Sequence, residues 1–298
     1  MAVRSWPQRN QDVISMNQIK RKSILCPNCR KLISIDERIC PYCSILRPGS
    51  AFKNNPVIRT MADTRQMAMT IIWINVAMYI ISLVMSGSRI GMSMNPLDTL
   101  SPSMESLTIL GATGTYPINA LGLWWSLISA NYLHGSVMHI VFNMLMLWQL
   151  LPIVAREYGS YRMISIYTIG GVLGFVVSYL AGIQFTIGAS AAVCALVGAL
   201  LYFGKSRGGV YGQAVYKQIS GWVISLFLFG FLIPGINNWA HAGGILGGIA
   251  VAWFLGYNDK QREKSFHKTL AFFCAGITIL VLVWAVVHGA YYAFAMGK

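Results

Sequence analysis

Seven long apolar segments limit what this chain can fold into. They are found at 67–86, 135–153, 163–182, 188–204, 219–235, 239–257 and 269–295. Each is long enough, or nearly so, to cross a bilayer core about 30 Å thick, which takes roughly 20 helical residues. Hydrophobic residues make up 55% of the 298 residues and charged residues only 11%, a balance typical of membrane proteins. We therefore expect an all-α polytopic membrane protein with seven transmembrane helices.

Basic residues alternate between the two ends of these segments. Of the 23 Lys and Arg residues, 12 lie in residues 1–66, and most of the others follow the second, fourth and sixth segments. The opposite side holds only Arg89 and Lys298. The positive-inside rule then predicts a cytoplasmic N-terminus and an exoplasmic C-terminus, in the plasma (inner) membrane of a bacterium. This topology accounts for the net charge of +14, so the expected partner is the lipid bilayer and not nucleic acid.

Four polar side chains fall at one depth, near the outer ends of the segments that run inward. The second segment carries His139 and Asn143, the fourth carries Ser190 near its start, and the sixth carries His241. At 1.5 Å per residue, His139, Asn143 and Ser190 lie about 20–25 Å above the basic residues that mark the inner ends, and we expect His241 at a similar level. Polar residues inside a membrane tend to face a cavity or one another. They either hold helices together by hydrogen bonds or form a reactive site.

A serine and a histidine at one depth favour a nucleophile with its base. The imidazole of His241 would take the hydroxyl proton of Ser190 and return it to a leaving amine. His139 and Asn143 are four residues apart, so they share a helical face and can donate hydrogen bonds to an oxyanion, as can the Ser190 amide. None of the nine Asp and Glu residues falls inside a predicted span, which excludes an intramembrane Ser-His-Asp triad and a two-aspartate protease. It also leaves little for a cation-coupled transporter to use. A Ser-His dyad that needs no cofactor for catalysis remains.

Small residues would let two of these helices approach closely. The sixth segment contains Gly244 and Gly248 in G-x-x-x-G spacing, and the fourth presents Ser190, Cys194 and Gly198 along one face. Such faces allow close backbone contact, which would bring the His241 ring towards the serine. The same pattern also serves simple helix packing.

In this order, the motifs resemble the rhomboid family of intramembrane serine proteases. HGSVMHIVFNM at 134–144 is similar to the family's H-x-x-x-x-H-x-x-x-N pattern, and GASA at 188–191 is similar to its G-x-S motif. AHAGGILGG at 240–248 is similar to its A-H-x-x-G-x-x-x-G motif. The resemblance covers about 67–257 and implies a six-helix rhomboid core, with one extra C-terminal transmembrane helix after it.

The resemblance also implies roles for single residues. Ser190 would be the nucleophile and His241 the base, while His139, Asn143 and the Ser190 amide would stabilise the oxyanion. His134 would be structural. The implied reaction is hydrolysis of peptide bonds in or near transmembrane helices of membrane-protein substrates, at the exoplasmic side. The alternative is a rhomboid-like pseudoprotease, which binds transmembrane clients without cutting them.

The chain departs from the family pattern at three places. Ala191 stands where many members have Gly, and Cys194 stands where the family often has a tyrosine that stacks on the catalytic histidine. The Trp-Arg pair of the first exoplasmic loop, implied at 87–133, is Trp125-Ser126 here. None of these changes removes a reacting group.

A separate motif lies in the cytoplasmic tail. Cys26, Cys29, Cys40 and Cys43 form two C-P-x-C knuckles with ten residues between them, a pattern that suits one structural Zn²⁺ held by four thiolates. The segment resembles a zinc ribbon, with a short hairpin expected between the knuckles. A redox motif or disulfides are the alternatives, which a reducing cytoplasm disfavours.

These patterns divide the chain into five parts. The first three are a basic tail, a zinc-ribbon-like domain that could contact a cytoplasmic protein partner, and a linker. The last two are the six-helix core and a basic loop with the seventh helix. Their predicted bounds are 1–22, 23–46, 47–66, 67–257 and 258–298.

Overall fold

The computed structural model describes residues 23–27, 29, 31–51, 54–55, 63–95, 98–233 and 235–295. The chain divides into two compact units, Met1–Arg59 and Thr60–Lys298. The predicted basic tail 1–22 lies outside the described residues.

The first unit contains a two-stranded antiparallel sheet of β1 (Ser23–Leu25) and β2 (Leu32–Ser34). Ile24 pairs with Ile33, and their side chains pack with Cys26 and Cys40 in a small core. Because Cys26 and Cys29 lie between the two strands, the hairpin carries the first knuckle. The expectation of a hairpin between the two knuckles was therefore wrong. The reason is local, since the C-P-x-C turn itself reverses the chain.

The second unit is helical, as predicted. Its helices are α1 (Thr64–Ser86), α2 (Met104–Ile109), α3 (Thr115–Leu121), α4 (Ser126–Ser129), α5 (Val137–Tyr158), α6 (Ser160–Leu180), α7 (Ser190–Arg207), α8 (Gly209–Leu232), α9 (Asn238–Leu255) and α10 (Ser265–Ala295). Each of the seven predicted spans corresponds to one long helix. The predicted first loop, 87–133, contains two short 3₁₀ turns, Gly87–Arg89 and Ala130–Tyr132, together with α2, α3 and α4.

Five of the described helical segments are long and apolar enough to cross a membrane, and the chain is an integral membrane protein. They are Thr64–Arg89, Val137–Tyr158, Ser160–Leu180, Gly209–Leu232 and Ser265–Tyr292. The two long helices outside this set, α7 and α9, have only 18 residues each and carry polar and small side chains. That they also cross the membrane stays a prediction.

α7 lies at the centre of the helical unit. It packs against α5, α6, α8 and α9, and all residues from 191 to 200 are buried. A Cβ atom on Gly198 would meet the backbone of Ile245, and one on Gly248 would meet the backbone of Ala195. Between lipid-exposed helices there is no hydrophobic driving force, so close packing of small residues holds such helices together. A helix that is enclosed by other helices also needs few apolar side chains facing the lipid.

The links on the predicted cytoplasmic side are shorter than expected. A single residue, Gly159, separates α5 from α6, and Gly208 alone separates α7 from α8. The helix predicted at 219–235 therefore begins ten residues earlier, at Gly209. Arg162, which falls between the segments predicted at 135–153 and 163–182, lies fully buried in α6.

Buried hydrogen bonds explain how Arg162 is accommodated. Its guanidinium donates to the carbonyl oxygens of Tyr158 at 3.0 Å and Gln261 at 2.8 Å. The Glu263 carboxylate accepts from the backbone N–H groups of Tyr161 and Arg162 at the start of α6. Burial raises the pKa of Glu263, although these N–H groups and the Arg162 charge act in the opposite direction. The loop after α9 is thus fastened to the start of α6.

Candidate active site

Ser190 is the first residue of α7. The first amides of a helix have no intrahelical acceptor, and the N-cap residue here, Ala189, has no side-chain group that could accept from them. The Ser190 N–H is therefore free to donate to a negatively charged oxygen, which the helix dipole also favours.

Backbone hydrogen bonds hold the segment that leads into Ser190. Thr186 exchanges two of them with Thr113, at 2.7 and 3.0 Å. Further along, the Gly188 N–H donates to the Ala130 carbonyl oxygen at 2.8 Å. The segment before the serine is therefore held against the first loop at two places, Thr113 and Ala130.

Gly188 brings the serine close to a histidine of α5. Its φ is +126°, a conformation that side-chain-bearing residues rarely adopt. A Cβ atom at this position would lie 2.6 Å from Nε2 of His139 and 3.7 Å from Oγ of Ser190. The hydroxyl and the ring nitrogen therefore flank one point, and only glycine leaves that point open.

The ring of His139 has a defined hydrogen-bonding direction. The backbone N–H of Gly135 donates to its Nδ1 at 3.3 Å. A neutral imidazole with an accepting Nδ1 carries its proton on Nε2, the atom that faces Gly188. The buried ring of His134 packs edge-on against it, with 5.1 Å between ring centroids. His139 is therefore oriented as a hydrogen-bond donor towards the serine.

Asn143 lies one turn further along α5 and is buried. Its Nδ2 donates to the carbonyl oxygen of His139 at 2.9 Å, which leaves one N–H of the amide group for another acceptor. The two residues share a helical face, as their spacing predicted.

His241 is buried in the first turn of α9, close to α7. A Cβ atom on Gly174 would lie 2.7 Å from the carbonyl oxygen of Ala240 and 3.0 Å from Cβ of Ala191. The chain neighbours of His241 and Ser190 therefore meet at one helix crossing. Among the described residues, the Ser190 hydroxyl has no hydrogen bond to His241, and Nδ1 of His241 has no partner.

Sequence reasoning missed one polar residue at this site, Asn237. Its side chain reaches Ser178 of α6 and Thr186 of the segment before the serine. An asparagine directly before an apolar helix is a recognisable N-cap signal. Its contacts with two distant parts of the chain leave no trace in the local sequence.

The four cysteines of the first unit form a cluster that could hold a metal ion. Their Sγ atoms all lie within 4.8 Å of one another, with Cys26–Cys43 at 3.6 Å and Cys29–Cys40 at 3.7 Å. Tetrahedral zinc with Zn–S bonds of about 2.3 Å places sulfurs about 3.8 Å apart, so the cluster fits zinc. The Lys31 N–H lowers the pKa of Cys29, but burial and the other three thiols outweigh it and raise that pKa to about 12. A cation among the sulfurs would favour the thiolates instead.

Comparison with known proteins places this geometry in context. Residues 121–258 match the family model described as Rhomboid domain. The chain is 35% identical over 170 residues to Rhomboid protease GluP of Bacillus subtilis (strain 168), covering 57% of this chain and 33% of that protein. It is 30% identical over 146 residues to Putative rhomboid protease YdcA of the same organism, covering 48% of this chain and 73% of that protein.

A plant protein is similar over the same part. RHOMBOID-like protein 4 of Arabidopsis thaliana is 32% identical over 163 residues, which covers 54% of this chain and 41% of that protein. The chain therefore spans between a third and two fifths of the length of the longer relatives.

Proposed function

Because this chain belongs to the rhomboid family, which includes intramembrane serine proteases, we propose that it is a serine endopeptidase that uses a Ser190–His241 dyad. The observation that carries this proposal is the convergence at Gly188. Oγ of Ser190 and Nε2 of His139 both approach the same side of Gly188, at 3.7 and 2.6 Å from the position of a Cβ there, so a nucleophile and a hydrogen-bond donor lie next to each other.

Each proposed residue has one role in the reaction. Oγ of Ser190 attacks the carbonyl carbon of the scissile bond while His241 takes the hydroxyl proton. Nε2–H of His139, the free amide N–H of Asn143 and the Ser190 N–H donate to the oxyanion that forms. His241 then passes its proton to the leaving amine, and the bond to nitrogen breaks. Water, deprotonated by His241, hydrolyses the acyl-enzyme and regenerates Ser190.

The missing hydrogen bond between Ser190 and His241 is consistent with this role. In unliganded sites such bonds are often long or poorly aligned, and they shorten when the substrate binds.

We propose that the substrates are transmembrane proteins cut at the exoplasmic side of the plasma membrane. The supporting argument is the charge distribution, which predicts a cytoplasmic N-terminus and an exoplasmic C-terminus. This orientation needs an odd number of spans, and we propose seven, with α7 and α9 completing the five apolar ones. The proposed site then lies near the outer ends of α5, α7 and α9.

The test of this function uses the full chain in proteoliposomes with single-pass substrates that carry a tag on each side. We expect a cut near the exoplasmic end of the substrate helix, located by mass spectrometry of both fragments. Substrate that binds and is recovered intact would instead indicate a pseudoprotease. A cut at the cytoplasmic end would invert the proposed topology.

Replacing Gly188 with Ala should lower the rate of Ser190 acylation by a fluorophosphonate about 10–100-fold, because the new methyl group would displace the His139 ring. Gly182→Ala is the matched control. Gly182 also has a positive φ, +80°, but a Cβ there has nothing within 4 Å. Equal losses in both variants would attribute the effect to backbone strain and not to the displaced ring.

We propose that Cys26, Cys29, Cys40 and Cys43 hold one structural Zn²⁺. The ion would supply folding energy to a segment too short to form a core of its own. It has no role in peptide hydrolysis. Metal analysis of the protein purified without chelators should give about one zinc per chain, and replacing all four cysteines with Ser should remove it.

Truncation separates this metal from catalysis. Deleting residues 1–60 should remove the zinc but leave acylation of Ser190 in detergent within about twofold of the full chain, because every residue proposed to react belongs to the unit Thr60–Lys298. A wild type without zinc would overturn the ribbon assignment. Loss of acylation after truncation would mean that the tail maintains the reactive state of the core.

A further inference from the structure

We propose that Asn237 is a positioning residue that sets His241 against Ser190. This inference rests on the proposed function. Asn237 precedes α9 and joins three separate elements through one side chain, namely α6, the segment before Ser190 and the start of α9 itself.

Every polar atom of the amide group is used. Oδ1 accepts the backbone N–H of Ala240 at 3.0 Å and so caps α9. Nδ2 donates to Oγ of Ser178 at 2.6 Å and to Oγ1 of Thr186 at 3.0 Å. Because Nδ2 has two hydrogens, it serves both hydroxyls at once. Ser178 and Thr186 are both buried and Asn237 is half-buried, so these bonds are partly shielded from water.

Each end of this connection lies four residues before a member of the proposed dyad. Asn237 stands four residues before His241, and its carbonyl oxygen accepts the His241 N–H at 3.2 Å. Thr186 stands four residues before Ser190 and is paired with Thr113 of the first loop. A displacement of the Asn237 side chain therefore moves the start of α9 relative to the approach to the serine.

Among the described residues, neither a hydrogen bond to the ring nor a nearby carboxylate in its helix fixes the histidine. Nδ1 of His241 has no hydrogen-bond partner among the described residues, and no carboxylate lies within the described part of α7 or α9. Cys194, one turn after Ser190, has a short side chain. Its Cβ lies 3.0 Å from the position that a Cβ on Gly244 would take. The ring therefore depends on the position of its own backbone, which Asn237 controls. A misplacement of about 1 Å in a catalytic group can cost about 10²-fold in rate.

Asn237→Ser tests the connection without removing the cap. Serine is a good N-cap residue, but its side chain is too short to reach Ser178 and Thr186. We expect the rate of Ser190 acylation by a fluorophosphonate to fall about 10–100-fold, and kcat for a helical substrate to fall with little change in KM. Asn119→Ser is the matched control. Asn119 also bonds across elements, accepting from the Tyr179 hydroxyl at 2.8 Å, and among the described residues its side chain has no hydrogen bond to Thr186.

Changes at Thr186 test the same bond from its other end. Thr186→Val should lower the acylation rate about tenfold, roughly the loss expected when one partner of a buried hydrogen bond is removed, and Thr186→Ser should restore most of it. Combined with Asn237→Ser, Thr186→Val should add little, because both changes break one connection.

The outcomes separate this inference from the proposed function. If the wild type does not react at Ser190, the protease assignment fails. If the wild type reacts and Asn237→Ser reacts as fast, the protease assignment stands and the positioning role is overturned. A fall in rate that Asn119→Ser reproduces, or that follows only a loss of folded protein in thermal denaturation, also overturns it.

Discussion

Ser190→Ala is expected to reduce cleavage of a transmembrane substrate by about 10⁴–10⁶-fold, because it removes the atom that forms the acyl-enzyme. His241→Ala should have an effect of similar size, since the hydroxyl then has no base. The two residues act as one unit, so the double variant should be no slower than either single variant. Initial rates in proteoliposomes, corrected for the amount of folded enzyme, measure all three.

Matched controls come from outside the proposed site. Ser225 of α8 is exposed and bonds only to the carbonyl oxygen of Gly221 among the described residues, so Ser225→Ala should cleave at the wild-type rate. His288 of α10 stacks between Trp284 and Tyr292, and His288→Ala should likewise retain activity. Thermal stability of Ser190→Ala should stay near that of the wild type. Independent effects that multiply in the double variant would contradict a dyad.

The second large effect is expected at the proposed oxyanion donors. His139→Ala and Asn143→Ala should each lower kcat by about 10²–10³-fold with a smaller change in KM, the usual loss for one donor to a developing negative charge. The loss should fall on kcat because the donors act on the tetrahedral intermediate more than on the bound substrate.

The two donors differ in a way that kinetics can resolve. His139 is held by the Gly135 N–H and faces Gly188, whereas Asn143 uses one of its N–H groups on the His139 carbonyl oxygen. His139→Gln retains a side-chain amide donor and should recover part of the lost kcat. Unchanged kcat in both alanine variants would assign this face of α5 to helix packing. A loss seen only in KM would assign it to substrate binding.

Spacing along single helices was enough to predict much of the site. Residues four apart on α5 must share a face, and a serine that opens a helix must have a free amide, so local spacing alone places His139, Asn143 and Ser190. The G-x-x-x-G spacing in α9 predicted its close contact with α7, which the packing of Gly248 against Ala195 confirms. The catalytic roles themselves stay proposals.

Long-range contacts are what the sequence could not supply. Arg162 falls one residue before the segment predicted at 163–182, but inside the fold its guanidinium donates to the carbonyl oxygens of Tyr158 and Gln261. Asn237 carries a local capping signal, yet its partners lie 59 and 51 positions away in the chain. The hairpin of the first unit was misplaced because a C-P-x-C turn can itself join two strands.

Helix length and apolarity alone also identify only five of the seven predicted membrane spans among the described residues. α7 and α9 carry the proposed dyad, and their small and polar residues make them the two long helices that fall outside the apolar set. Burial within protein explains this, because α7 is enclosed by four helices and exposes little surface to lipid. The small and polar residues that would allow a reactive site therefore also lower the apolarity by which α7 and α9 could be recognised as membrane spans.

The most direct measurement is to identify the residue that a fluorophosphonate modifies in the full chain. The account predicts one adduct, on Ser190, found by peptide mass spectrometry. It should disappear in Ser190→Ala and form much more slowly in His241→Ala, because the hydroxyl then lacks its base. Substrate cleavage should stop in proportion to the adduct formed. An adduct on another residue, or cleavage that continues when Ser190 is fully modified, would contradict the assignment of Ser190 as the nucleophile.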